Sequence, residues 1–155
     1  MTLAPLNSAY RPTCAMAEME ESRKNVARIY RIRVIAAAEK KAKEIDQPMN
    51  IAVADTGGNL VAFVRMDDAW LGSVDIAINK AYTARAFDIS TKELAGLSQS
   101  GEQFFGIHAS NHGRVMIFAG GVPLKRDGKV VGGVGVSGGL GEQDQAVAEA
   151  GVAAV

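Results

Sequence analysis

Apolar residues recur with helical spacing over a long segment near the start of the chain. Between Cys14 and Ile45 they fall every three or four residues, which is typical of a helix with one buried face. The segment is long for a globular helix, so we expect a break near Ser22 or Asn25. Pro48 then stops the pattern, because proline cannot continue a helix. The apolar positions are Met16, Met19, Val26, Ile29, Tyr30, Ile35, Ala38, Ala42 and Ile45.

Strand patterns appear at three places in the middle of the chain. Residues 50–55 and 60–66 are rich in apolar and β-branched side chains, and they flank the turn sequence Thr-Gly-Gly-Asn. Residues 114–119 predict a third strand after a loop-like stretch that carries both histidines. Most of the predicted strands are joined by hairpins rather than by crossovers, so the sheet should be mainly antiparallel.

Two helices are predicted between these strands. Ser73 is a candidate N-cap for a helix that ends near Phe87. Ser90 and Glu93 have the spacing of a capping box, which predicts a short second helix. With the first helix and a helical C-terminal segment, the pattern gives an α+β fold in which helices cover the faces of a sheet.

The stretch from Gly120 to Gly141 contains the clearest local signal. Asp127-Gly128 predicts a two-residue hairpin turn, because both residues tolerate positive φ. The strand over residues 130–136 is β-branched on one side and nearly bare on the other, where Gly133 and Gly135 lie. A bare strand face is intrinsically weak, so we expect another backbone, a helix or a ligand to lie close against it.

The overall composition limits the class of protein. The 155 residues carry no net charge, which gives no indication of nucleic-acid binding. Cys14 is the only cysteine, so the chain makes no internal disulfide. No segment resembles a signal peptide or a membrane span, and we expect a cytoplasmic protein. We interpret residues 1–12 as an irregular arm and residues 13–155 as one domain.

Three segments together resemble the GlcG/HbpS-like family, a group also described as haem-binding or haem-degrading. They are NIAVADTGGNLVAFVRMDDA, DIAINKAYTARAF and FAGGVPLKRDGKVVGGVGVSGGLGEQDQAVAEAG. The C-terminal domain of PduO-type corrinoid adenosyltransferases is similar. The resemblance covers most of residues 30–155 and implies a profilin-like α/β/α fold with a five-stranded, mainly antiparallel sheet. It also implies a homo-oligomer, a tetramer or an octamer, and haem or a corrinoid as a possible cofactor.

Lys80 is the main candidate for ligand chemistry. It lies among apolar neighbours on the second helix and shares a helical face with Thr83. A lysine there can hold a carboxylate or act as a base, or it can simply pack its stem and send its amine to water. The turn at Gly138 and Gly139 leads into the last helix, whose N-terminus favours an anion. If the fold brings these groups together, as the resemblance implies, they form a site for a small anion or a tetrapyrrole propionate.

Other polar residues offer weaker candidates. Arg65 stands at a hairpin end with Asp55 and Asp67, where it can anchor a ligand or pair with a carboxylate. His112 can supply one axial ligand to haem, and its spacing from His108 gives a zinc site little support because the context is loop-like. The Glu18/Glu21 pair in the first helix is typical of a solvated acidic face. The resemblance implies that some relatives bind iron through acidic helix motifs. We expect no metal site.

Three functions remain open from the sequence. The first is a tetrapyrrole-binding accessory or sensing protein, which only the resemblance favours. The second is an enzyme acting on a small carboxylate or aldehyde, with Lys80 as electrophile or base. The third is an oligomeric protein-interaction module.

Overall fold

The computed structural model describes residues 14–155, with side chains described from Arg28 onward. The predicted arm over residues 1–12 and the side chains of Cys14, Glu18 and Glu21 lie outside the described part. Within it the chain forms four helices and four strands. These are α1 (Cys14–Glu44), β1 (Asn50–Ala54), β2 (Leu60–Arg65), α2 (Ser73–Phe87), α3 (Thr91–Leu97), β3 (Gly121–Arg126), β4 (Lys129–Ser137) and α4 (Gly141–Val152).

The sheet is fully antiparallel, with the strand order β2-β1-β4-β3. Its central pair joins β1 to β4, so Asn50 lies opposite Ser137 and Ala54 lies opposite Gly133. Both hairpin turns, at residues 55–59 and 127–128, therefore fall at one end of the sheet, which we call the turn end. The other end, where β4 leaves the sheet at Ser137, we call the exit end.

Helices cover both faces of the sheet, which gives three layers. The larger core lies under α1 and α4, where Val34 and Val147 pack against Val134 and Val136 of β4. The smaller core lies under α2 and consists of alanines of α2 and β1, with Phe63 and Ile78 packed against it. From Gly133 to Val136 the alternation along β4 thus sends the valines to one layer and the glycines to the other.

The bare glycine face of β4 is covered by the backbone of α2. A Cβ atom placed on Gly133 would collide with the carbonyl oxygen of Ala81, and one placed on Gly135 would collide with the carbonyl oxygen of Ala77. Close approach by a helix is thus the reason for the bare face, which was one of the alternatives that the sequence left open. The Asp127-Gly128 turn is also confirmed, since both residues have positive φ, at 50° and 75°.

The predicted third strand is wrong, and the sheet has four strands instead of five. Residues 114–119 run as irregular chain and pair with no strand of the sheet. The N–H of Met116, for example, donates to Oγ1 of Thr83. There a side-chain acceptor replaces the ladder hydrogen bond that a strand would need.

Two predictions about helix boundaries are wrong and one is confirmed. α1 runs from Cys14 to Glu44 without the break that its length suggested. α2 begins at Ser73 itself, and its N-cap is Gly72, so the Ser73 hydroxyl does not cap the helix. The capping box of α3 is present, because Ser90 Oγ accepts from the N–H of Glu93 and the Glu93 carboxylate accepts from the N–H of Ser90. No helix in residues 14–155 is long and apolar enough to cross a membrane.

Candidate functional site

Lys80 is completely buried, and its ammonium group bonds to other groups of the protein. Its Nζ donates to the carbonyl oxygen of Val136 at 2.9 Å and to Oδ2 of Asp144 at 2.6 Å. The Phe118 ring lies over the ammonium, with its centroid 4.5 Å from Nζ, and this ring separates the charge from solvent. Lys80 belongs to α2 and Asp144 to α4, so the ion pair joins the two outer layers at the exit end of the sheet.

Asp144 occupies the anion position that the sequence analysis assigned to a ligand. Its Oδ1 accepts from the N–H of Gly139 at 3.0 Å, while its Oδ2 faces Lys80. The structure therefore does bring Lys80 and the Gly138–Gly139 turn together, but an internal carboxylate lies between them. Sequence reasoning missed Asp144, although its place in the first turn of α4, after the glycines, matches the preference of a helix N-terminus for negative charge.

Burial governs the protonation of this pair. It lowers the pKa of the Lys80 ammonium below its ordinary value, and the attraction of Asp144 opposes the change. It raises the pKa of the Asp144 carboxyl, against the opposing effects of Lys80 and of the N–H groups of Gly138 and Gly139. Lys80 makes an ion pair, a hydrogen bond and an aromatic contact. We therefore interpret it as a structural residue that joins α2 to α4.

Thr83 is also buried and engaged. Its hydroxyl donates to the carbonyl oxygen of Asn79 at 2.7 Å and accepts from the N–H of Met116 at 3.0 Å. It lies one helical turn from Lys80, as predicted from the spacing, and it holds the irregular segment 114–119 against α2.

Arg65 lies at the exit end, where Asn50 is its neighbour across the sheet. Its Nε and Nη2 both donate to the carbonyl oxygen of Ala69, at 3.0 and 2.9 Å, and thereby fix the loop that precedes α2. Asp55 lies at the turn end, where its Oδ1 accepts from the N–H groups of Gly57 and Asn59. The expected pairing of Arg65 with Asp55 is wrong, because the two residues stand at opposite ends of one hairpin.

His112 lies apart from Lys80, in an exposed turn with an unusual backbone. Asn111, His112 and Gly113 have consecutive positive φ angles of 52°, 58° and 74°. The amide of Asn111 donates to Oη of Tyr82, and Tyr82 packs against Gly58 at the turn end, so His112 lies on the α2 side of the sheet. Among the side chains described, no three His, Cys, Asp or Glu groups come close enough to hold a metal ion.

A cleft of about 650 Å³ opens at the turn end, on the opposite face, between α1 and the sheet. Its apolar wall continues the larger core and is formed by Val34, Val53, Val61, Leu124 and Val131. Its charged residues are the cations Arg31, Lys125 and Arg126 and the carboxylates Asp55 and Asp127. The cleft thus combines an apolar interior with a mainly basic edge.

Tyr30 and Arg126 form one side of the cleft. The guanidinium carbon of Arg126 lies 4.0 Å from the centroid of the Tyr30 ring, which is stacking distance. Sequence reasoning missed this contact because Tyr30 was assigned to the buried stripe of α1, and because Lys125 and Arg126 were considered only as part of the hairpin. The sequence feature that could have indicated a site here was the pair of adjacent basic residues beside the Asp127-Gly128 turn.

The architecture defines the class of the protein: a three-layer α/β/α domain in which an antiparallel sheet presents a glycine face to one helix. The chain belongs to the family described as haem degrading protein HbpS-like, whose model matches residues 32–153. An uncharacterised 15.0 kDa protein of Citrobacter freundii, from the dhaT-dhaS intergenic region, is 47% identical over 113 residues, which cover 73% of this chain and 80% of that protein.

A structure of PduOC in complex with haem has a similar fold. The TM-score is 0.79 and the identity is 36%, over 81% of this chain and 91% of the other. The corrinoid adenosyltransferase PduO of Citrobacter freundii is 40% identical over 119 residues. These residues are 77% of this chain but 36% of PduO, so the match concerns one part of that enzyme.

Proposed function

We propose that this protein binds a tetrapyrrole, haem or a corrinoid, as an accessory or sensing protein. The cleft at the turn end carries the proposal, because an apolar interior with a basic edge suits a flat apolar macrocycle with acidic side chains. The family description and the haem complex of PduOC support the same class of ligand.

The size of the cleft supports this class of ligand. Its volume of about 650 Å³ lies in the middle of the range found for sites of drug-sized molecules, about 300–1,000 Å³. Val61 and Val131 give the cleft an accessible apolar wall, and the buried Val34 and Val53 of the core support it from behind. A bound macrocycle would place its apolar body on this wall and its polar edge toward solvent.

The axial ligand is a separate question. A haem iron, when bound, supplies one or two coordination positions that an imidazole or a phenolate of the protein can fill. We propose His112, which the sequence also indicated, as the imidazole. In one chain His112 and the cleft lie on opposite faces of the sheet, so His112 reaches a macrocycle in the cleft only from a second copy of the chain.

Titration with haemin, followed by its Soret absorbance, tests the proposal. We expect a shifted Soret band that saturates at one haemin per chain, and His112→Ala should change the position of that band if the imidazole ligates the iron. Cobalamin is titrated in parallel to test the corrinoid. If neither compound binds, the proposed function is wrong. If haemin binds but His112→Ala leaves the spectrum unchanged, the function stands and the proposed ligand does not.

A further inference from the structure

We propose that the cleft recognises free carboxylates, and that the protein therefore selects tetrapyrroles with ionised acid side chains over corrinoids, whose side chains are amides. This inference rests on the proposed function and names the recognition chemistry of its site. The residues that carry it are Arg31, Lys125 and Arg126.

The charges at the cleft favour an anion. Among the side chains from Arg28 onward that line the cleft, three cations face two carboxylates, and the Asp55 carboxylate already accepts two main-chain N–H groups of its own turn. Asp127 stands at the tip of the hairpin turn with a left-handed φ of 50°, so its position is set by the turn. Among the described side chains the cations thus outnumber the carboxylates, and the Asp55 carboxylate is held in its own turn by its hydrogen bonds.

Stacking on Tyr30 prepares Arg126 for this role. A guanidinium that stacks on an aromatic ring is held in one orientation. The N–H groups along its edge can then donate two parallel hydrogen bonds to one carboxylate. The stacked side chain has less conformational freedom to lose on binding than a free arginine has. Arg31 is half-buried on α1, one residue from Tyr30, so a second guanidinium lies along the same wall.

The apolar wall strengthens the attraction between the cations of the cleft and an anionic ligand. The attraction between opposite charges strengthens where water is excluded, and the buried Val53 and Val34 exclude it from the inner side of the cleft. An amide side chain carries no net charge and cannot use this attraction. The amide side chains of a corrinoid therefore forfeit most of the favourable contribution that a propionate obtains.

The test compares ligands that share a macrocycle and differ in the charge of their side chains. Haemin and haemin dimethyl ester share one macrocycle, and only the first carries carboxylates. We expect the ester to bind about tenfold more weakly or worse, the usual effect of losing a hydrogen bond between charged groups. Cobalamin should bind more weakly than haemin. Equal affinity for haemin and for its ester, or tighter binding of cobalamin, would overturn the inference.

Variants of the cleft locate the effect. Arg31→Gln and Arg126→Gln should each weaken haemin binding about tenfold while leaving the affinity for the ester unchanged. Lys129→Gln is the matched control, since Lys129 is an exposed cation of the same hairpin that does not line the cleft. Circular dichroism checks that each variant is folded. If the parent binds haemin and neither arginine variant weakens it, the site is wrong while the proposed function stands.

A steric variant gives an independent readout. Val131 is half-exposed and lines the cleft, so Val131→Trp places a large ring in the space without disturbing the core. We expect haemin and its ester to lose affinity together. Unchanged binding of both ligands in this variant would show that the macrocycle binds elsewhere.

Discussion

At the scale of single residues, Lys80 and Asp144 form a clamp between α2 and α4. The ion pair lies where Gly120 begins the approach to β3, and a Cβ on Gly120 would come within 2.8 Å of both Lys80 Nζ and Asp144 Cβ. Removing two charges from water costs several kcal/mol for each ion, and close pairing with further hydrogen bonds offsets that cost. The clamp therefore depends on both of its members.

We expect Lys80→Met to lower the free energy of unfolding by about 3–5 kcal/mol, because it leaves the Asp144 carboxylate buried without its cation. The double variant Lys80→Met/Asp144→Asn should recover most of that loss. It removes both charges and keeps an oxygen for the N–H of Gly139. Urea unfolding of the parent, both single variants and the double variant measures the coupling. A Lys80→Met protein as stable as the parent would contradict the clamp.

Glu93 makes the capping box of α3 dependent on pH. Its hydrogen bonds from the hydroxyl and the N–H of Ser90 lower the pKa of the Glu93 carboxyl below its ordinary value. Since the folded pKa is below the unfolded value, the cap stabilises the protein above the unfolded pKa, and this contribution disappears as the pH falls through the folded pKa.

We expect Glu93→Gln to lower the free energy of unfolding at neutral pH by about 1 kcal/mol or less, within the range for helix caps. The difference between parent and variant should vanish in acid, where the parent carboxyl is also protonated. Urea unfolding at a series of pH values checks the trend. A stability difference that grows as the pH falls would contradict a lowered pKa for the Glu93 carboxyl.

At the scale of elements, the contact between β4 and α2 requires the glycines. A side chain on Gly135 would meet the backbone at Ala77 and Ala81, which a helix cannot move without leaving the sheet. We expect Gly135→Val to cost at least about 1–3 kcal/mol of stability by overpacking. Gly96→Ala is the control, since Gly96 lies in α3 with open space around it and a helical alanine should stabilise by up to about 1 kcal/mol. Thermal unfolding of both variants and of the parent measures these changes in stability.

Elements with local signals were predictable from the sequence, and elements defined by distant partners were not. The Asp127-Gly128 turn and the Ser90–Glu93 capping box are confirmed because each depends on four or fewer adjacent residues. Residues 114–119 look like a strand by composition, but a strand also requires a partner. Here Thr83, in another element, accepts the N–H that a ladder would have used.

The candidate site was also predictable only in part from the sequence. The neighbourhood of Lys80 and the Gly138–Gly139 turn could be anticipated from the resemblance, whereas the identity of the anion between them could not. Asp144 lies 64 residues from Lys80 in the chain, and only the fold brings them together. The stacking of Arg126 on Tyr30 joins two elements that are even more remote in sequence.

At the scale of the whole molecule, several large apolar side chains are exposed. Ile32 on α1, Trp70 and Leu71 before α2, and Leu140 before α4 are 58–76% exposed. Trp70 and Leu71 are adjacent, and exposed apolar patches, unlike apolar residues scattered singly, mark surfaces that another protein covers. We therefore propose a homo-oligomer, as the family resemblance implied.

Light scattering should give a mass that is a multiple of 16.3 kDa, the mass of one chain. We expect Trp70→Glu/Leu71→Glu to reduce that mass, because two carboxylates in an apolar interface lose their hydration. Arg33→Glu, at an exposed polar position, is the control for added negative charge. A parent that measures 16.3 kDa at micromolar concentration would contradict the proposal.

The pairing of β1 with β4 also determines when the protein can fold during its synthesis. Asn50 and Ser137 are 87 residues apart, and at about 5–20 residues per second the ribosome needs several seconds to make the chain between them. Throughout that time β1 has an unpaired edge, and α2 lacks the glycine strand against which it packs. The nascent chain therefore cannot complete its sheet until the last quarter of the sequence has emerged, and in that interval β1 is a target for chaperones and for misassembly with neighbouring chains.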